Sequence, residues 1–165
     1  MERLIRLPQR LKAVVDYIGH SAAVADVGTD HGIVPVYLAQ TGTARSIIAS
    51  DMSEGSLGAA RRNAEKYSVT DKIIFITAPG LEGVGDSDAD TIILAGMGGE
   101  TMVHILQGAP WTRRKGIRLV LQPQTKIDTL CAFLRGNGYD ILDATTAIDR
   151  GRSYTIILAE GGTFE

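Results

Sequence analysis

Residues 23–32 read Ala-Val-Ala-Asp-Val-Gly-Thr-Asp-His-Gly, a short apolar run that closes in a glycine turn bearing two carboxylates, Asp26 and Asp30. A short apolar run bounded by glycine reads as a buried strand, and the first strand of an open α/β sheet delivers its ligand turn at its carboxyl end. Here that turn falls at Gly28. A second run, 46–49, leads into Asp51 about twenty residues beyond, the spacing that sets an acidic side chain at the tip of the adjacent strand to accept hydrogen bonds from ribose hydroxyls.

Working outward, apolar runs alternate with helical patterns, as in a parallel sheet with crossover helices. The further strand-like runs are 73–77, 91–95 and 119–122. Helical spacing occupies 35–40, 53–67, 100–107 and 125–136, with Ser53 suited to an N-cap. Two last runs, 139–145 and 153–159, are joined by a polar stretch around Asp149-Arg150-Gly151, too short for a helical crossover, so they pair antiparallel. The expected fold class is therefore α/β, a seven-stranded mostly parallel sheet with a C-terminal antiparallel hairpin. This is the layout of the class I (Rossmann-like) methyltransferase fold, though a fold alone does not fix a reaction.

The 165 residues suit one domain, 1–165, large enough for a real core. With 44% hydrophobic and 22% charged residues the composition is globular, and no apolar run approaches the ~20 residues that span a bilayer. The start, Met-Glu-Arg-Leu-Ile-Arg-Leu-Pro, lacks a long apolar signal core, and the single cysteine, Cys131, is expected as a buried apolar side chain in a reducing cytoplasm. A net charge of −2 gives no global basic field. Three local basic patches remain: Arg3, Arg6, Arg10 and Lys12 on an expected first helix; Arg61, Arg62 and Lys66; and Arg113, Arg114 and Lys115 beside Trp111. No metal is expected, because His20 and His104 lack partners at ligand spacing.

The charge of the glycine turn narrows the ligand. A pyrophosphate needs bare backbone amides at a helix N-terminus, and Asp26 and Asp30 would repel it. S-adenosylmethionine carries an ammonium and a sulfonium and no phosphate, so the same carboxylates attract it. The methyl donor is favoured over a nicotinamide dinucleotide on that ground. A second constellation points to the same sheet edge: Asp90-Thr-Ile-Ile-Leu-Ala-Gly-Met-Gly-Gly, in which a buried strand runs into Gly96, Gly98 and Gly99 with Met97 at the crest.

Together, Asp-Val-Gly-Thr-Asp-His at 26–31, Asp51, Gly80-Leu81, Ala-Gly-Met-Gly-Gly at 95–99 and Gln122-Pro123-Gln124 resemble the TrmK family, bacterial tRNA methyltransferases acting on ring nitrogen one of adenine twenty-two. The resemblance spans nearly the whole chain. It implies a catalytic domain that binds S-adenosylmethionine and acts on tRNA. Position by position, it puts Gly28, Thr29, Asp30 and His31 around the methionine part of the donor, with Asp26 a further donor-binding residue. Asp51 and Met52 would hold ribose and adenine, Ala95, Gly96 and Met97 would edge the transfer pocket, and Gly80 and Leu81 would also bind the donor. His31, Met97, Gly98, Gly99, Gln122, Pro123, Gln124 and Arg6 are its candidates for contacting the RNA substrate. The chain departs from the family in having Pro79 where an Asp usually precedes Gly-Leu, and Ser-Glu-Gly-Ser-Leu at 53–57 where Gly-Pro-Leu is usual. Family members also continue past the last strand into a helical, coiled-coil-like domain.

The expected chemistry is in-line attack of the adenine ring nitrogen on the donor methyl, helped chiefly by orientation in a water-poor pocket. Asp30 is the first candidate to stabilise the cationic product. Gln122 and Gln124 offer paired donors and acceptors to a base edge, and Tyr154 or Trp111 could stack on a base. Two other readings stay open: a methyltransferase acting on a small molecule or protein, and a non-catalytic donor-binding module.

Overall fold

In the computed structural model, residues 3–163 are described. The elements in chain order are α1 (Gln9–Asp16), β1 (Ala23–Val27), α2 (Ile33–Thr41), β2 (Ser46–Asp51), α3 (Glu54–Lys66), β3 (Ile74–Thr77), β4 (Thr91–Met97), α4 (Gly99–Gln107), β5 (Arg118–Pro123), α5 (Ile127–Gly136), β6 (Tyr139–Asp149) and β7 (Arg152–Gly161). One seven-stranded sheet runs β3-β2-β1-β4-β5-β7-β6. β1 to β5 pair in parallel, whereas β7 is antiparallel to both β5 and β6. The expected α/β sheet with its terminal hairpin is the one observed.

Parallel strands covered on both faces read as continuous apolar runs, and β1 is buried at all five positions while β4 and β5 are buried through their centres. The sheet divides the core in two. On one face Val24, Ile93 and Val120 pack with Val14, Val36 and Leu38 from α1 and α2. On the other, Ala25, Ile92, Leu94 and Leu119 pack with Met102 and Leu106 of α4 and Leu130 and Leu134 of α5.

Two element ends and the burial of one side chain stand out against the sequence expectation, each for a local reason. The first helix starts only at Gln9, after Pro8 at the cap, so Arg3 and Arg6 lie in the non-helical lead-in and only Arg10 and Lys12 are helical. β6 runs on to Asp149 because hairpin pairing extends through Thr146–Asp149 opposite Arg152–Thr155. The turn itself holds Arg150 (φ 52°) and Gly151 (φ 76°), two left-handed residues that join the strands tightly. Cys131 is half-buried rather than buried, and packs at the margin of the second core.

Candidate active site

The carboxyl ends of β1, β2 and β4 converge on one cleft of about 450 Å³. Its floor is the turn after β1. Gly28 (φ 73°) and Thr29 donate their backbone N–H groups to the Ser50 carbonyl of β2 at 2.8 and 2.9 Å, which draws the turn across the strand ends. The Thr29 hydroxyl donates to Asp26 Oδ2 at 2.8 Å. Asp30, itself left-handed at φ 55°, donates its N–H to Asp51 Oδ2 at 3.0 Å, and Ser53 N–H donates to Asp51 Oδ1 at 3.0 Å. Two backbone amides thus aim the Asp51 carboxylate while each oxygen keeps a lone pair for a further donor. Gly32 (φ 68°) ends the turn where a Cβ would meet Ala60 of α3 at 2.7 Å, so glycine is needed for both conformation and packing.

The wall opposite is the end of β4. The register of β4 on β5 shifts between Ala95 and Met97, with Gly96 left-handed at φ 78°, and this bulge turns Met97 back over the first turn. A Cβ on Gly28 would lie 2.6 Å from Met97 Cε, so the two glycine motifs touch. Ala95, Gly96, Met97 and Gln124 complete that wall. Four lining residues were not singled out as cleft contacts from the sequence. Ile33 and Val34 follow the glycine turn directly, whereas Arg10 and Leu11 of α1 arrive only through tertiary packing, and no local signal marks them.

Electrostatically the cleft is acidic: Asp26, Asp30 and Asp51 face a single lining cation, Arg10, which itself lies 3.8 Å from Asp149. Asp26 is 6% exposed, and burial pushes its carboxyl up to about 7; nearby Asp51 adds to the rise and the Thr29 hydroxyl opposes it. The Asp30 carboxylate is exposed, with His31 Nε2 at 3.9 Å, and the His31 carbonyl accepts from Asn63 Nδ2 at 2.7 Å. Among the described residues no group of three or more His, Cys, Asp or Glu is placed to hold a metal ion, and no helix is long and apolar enough to cross a membrane.

Not every candidate meets here. Met52 is 73% exposed beside the cleft, and Gly80 lines a separate hollow against Ile105 while Leu81 is buried in the second core. Gly98 and Gly99 are occupied by packing. A Cβ on Gly98 would meet Thr125 Oγ1 at 2.8 Å, one on Gly99 would strike the Lys126 carbonyl, and Gly99 N–H donates to the Thr125 carbonyl at 2.7 Å. Gln122 is fully buried, with Oε1 unpartnered, and Pro123 and Gln124 sit at the end of β5. Arg6 is exposed and does not line the cleft, where Arg10 stands instead.

This geometry agrees with comparisons to known proteins. A methyltransferase-domain family model matches residues 7–157. The tRNA (adenine(22)-N(1))-methyltransferase of Bacillus subtilis is 32% identical over 158 residues, 96% of this chain and 66% of that protein. The crystal structure of the B. subtilis M1A22 tRNA methyltransferase TrmK superposes with a TM-score of 0.88 at 32% identity, covering 96% of this chain and 68% of that one. A Streptococcus pneumoniae protein crystallised in complex with S-adenosyl-L-methionine superposes at 0.89 with 31% identity, covering 97% and 75%. The chain spans about two thirds of the length of the curated relatives it matches. It belongs to the methyltransferase-domain family and, within that, to the TrmK family.

Proposed function

We propose that this domain transfers a methyl group from S-adenosylmethionine to ring nitrogen one of an adenine in tRNA. The observation that carries the reading is the cleft in which Gly28, left-handed and pressed against Met97, leaves room for a ligand between three carboxylates. A donor with cationic groups and a ribose fits that set, and a dinucleotide pyrophosphate does not. When bound, the donor supplies an electrophilic methyl on a positively charged sulfur.

The chain's own residues do the rest. Asp26 and the Thr29–Asp30–His31 turn receive the amino-acid end, and Asp51, aimed by the Asp30 and Ser53 amides, accepts from ribose hydroxyls. Ala95, Gly96 and Met97 edge the space where the target base meets the donor, and Gln124 stands at its rim. The attacking nitrogen has a free lone pair, so no general base is required. The product is a cation, which the exposed Asp30 carboxylate stabilises as charge develops. The setting for this chemistry is the cytoplasm, where tRNA is modified.

Incubation of the protein with labelled donor and bulk tRNA tests the reading. Label is expected in the RNA and lost when the target adenine is replaced. Label appearing only in a small molecule or a protein would support the same donor site with a different acceptor. Pro79, standing where relatives usually have an acidic residue, favours one further check. Donor binding by calorimetry without methylated product from any RNA pool would make the domain a donor-binding module.

A further inference from the structure

Next to the donor cleft lies a second hollow of about 410 Å³, formed where the turn after β5 faces the start of β7. Gln124 lines both, so the hollow and the cleft adjoin at that side chain. Its charge is opposite to that of its neighbour. Lys126 and Arg152 line it, Tyr154 forms part of its wall and no carboxylate does, in a chain whose net charge is −2. Neither cation has an ion-pair partner among the described residues. One sheet edge therefore carries an acidic hollow and a basic one side by side.

The placement of Lys126 is built into the fold. The residue is left-handed (φ 55°, ψ 41°), a conformation that residues with a Cβ rarely adopt. It is held there because the 125–126 turn is clamped on the N-terminus of α4: Gly99 N–H donates to the Thr125 carbonyl, and only glycines at 98 and 99 leave space for Thr125 and the Lys126 carbonyl. The Ala-Gly-Met-Gly-Gly motif thus does two things at once. Its first half edges the donor cleft through Gly96 and Met97, and its second half fixes the turn that presents Lys126. Arg152 is the first residue of β7, directly after the tight hairpin turn, and pairs in register with Asp149. Lys126 thus stands at the cap of α5 and Arg152 in the hairpin ladder.

We infer that this basic hollow receives the RNA backbone beside the target adenine, with Lys126 and Arg152 neutralising a phosphodiester and Tyr154 packing on the neighbouring base. The inference rests on the proposed function for the identity of the acceptor and deepens it. A donor cleft with three carboxylates repels a polyanion, so the acceptor strand needs a cationic hold close by, yet outside the donor's own contacts. Lys126 and Arg152 are the lining cations on the open side of Gln124. A planar half-buried Tyr154 next to two cations is the pairing that single-stranded RNA uses, since bases stack on aromatics while the backbone follows positive charge.

Fluorescence anisotropy with a labelled short oligoadenylate, across a salt series, tests this in the full chain. Lys126→Ala and Arg152→Ala should each weaken binding several-fold at low salt. Each should also flatten the plot of log affinity against log salt by about 0.7, the increment of one released counterion on a single strand. Arg152→Glu should weaken it further, and Tyr154→Phe should bind like the parent while Tyr154→Ala does not. Donor affinity by calorimetry should stay within twofold in every variant, which also reports that the cleft is folded. Unchanged oligonucleotide affinity in the Lys126/Arg152 double variant, or no salt-dependent binding by the parent protein, overturns the inference. Binding that follows these expectations while the parent transfers no label to tRNA overturns the proposed activity and leaves the basic hollow standing.

Discussion

Asp26 is buried at the floor of the cleft proposed to hold the donor, and its protonation sets a pH dependence with a definite sign. Its carboxyl titrates near 7 in the fold and near the ordinary 3.9 in the unfolded chain, so the folded state holds the extra proton between those values. Stability from this group is therefore greatest below about pH 4 and is lost as pH rises toward 7. Asp26→Asn should flatten that decline in chemical-denaturation series run at several pH values. Donor binding runs the other way: a bound ammonium favours the carboxylate, so affinity should rise with pH up to about 7 and level off. Binding should also release protons in calorimetry buffers of differing ionisation enthalpy, and a proton count of zero below pH 7 would separate Asp26 from the donor's cationic end. Gly28→Ala is the sharper lesion. It sets a Cβ 2.6 Å from Met97 Cε at φ 73°, and should abolish measurable donor binding while costing about 1–2 kcal/mol of stability, read by calorimetry and by denaturant midpoint. The carboxylates and glycines of this site were legible in sequence because they lie within single turns. Arg10 and Lys126 were not, because nothing local announces that an α1 residue will reach the cleft or that a left-handed lysine will line the hollow beside it.

At the scale of elements, sequence periodicity located every strand, and the discrepancies lie at ends where pairing or a cap overrides composition. Residues 146–149 lie beyond the strand-like run and beside the polar turn, but β7 supplies their partners, so they extend as strand. Pro8 starts α1 later than its basic residues suggest. The hairpin offers a clean test of turn chemistry. Arg150 occupies a left-handed position that asparagine adopts at lower cost, so Arg150→Asn should raise the denaturant midpoint by an amount equivalent to about 0.5–1 kcal/mol, with donor affinity unchanged. The α4–α5 clamp tests the opposite direction. Gly99→Ala drives a methyl into the Lys126 carbonyl and should destabilise by about 1–3 kcal/mol, and, by moving the 125–126 turn, weaken RNA binding more than donor binding.

For the whole molecule, the strand order settles what the linear sequence left as a count. Composition and spacing give seven strands, but not that β7 lies inside the sheet and β6 at its rim, since both hairpin strands carry comparable patterns. Two edges result, β3 and β6, and β6 exposes Leu142 and Ile148 at 47% and 69%. The interior place of β7 also governs how the chain can be assembled during synthesis. β6 leaves the ribosome before β7, yet its sole partner in the sheet is β7, so it has nothing to hydrogen-bond until residues 152–161 have emerged. A nascent chain halted near residue 150 would present β5 with a bare flank and β6 unattached, a species suited to chaperone capture, while ten more residues would close the gap in one step.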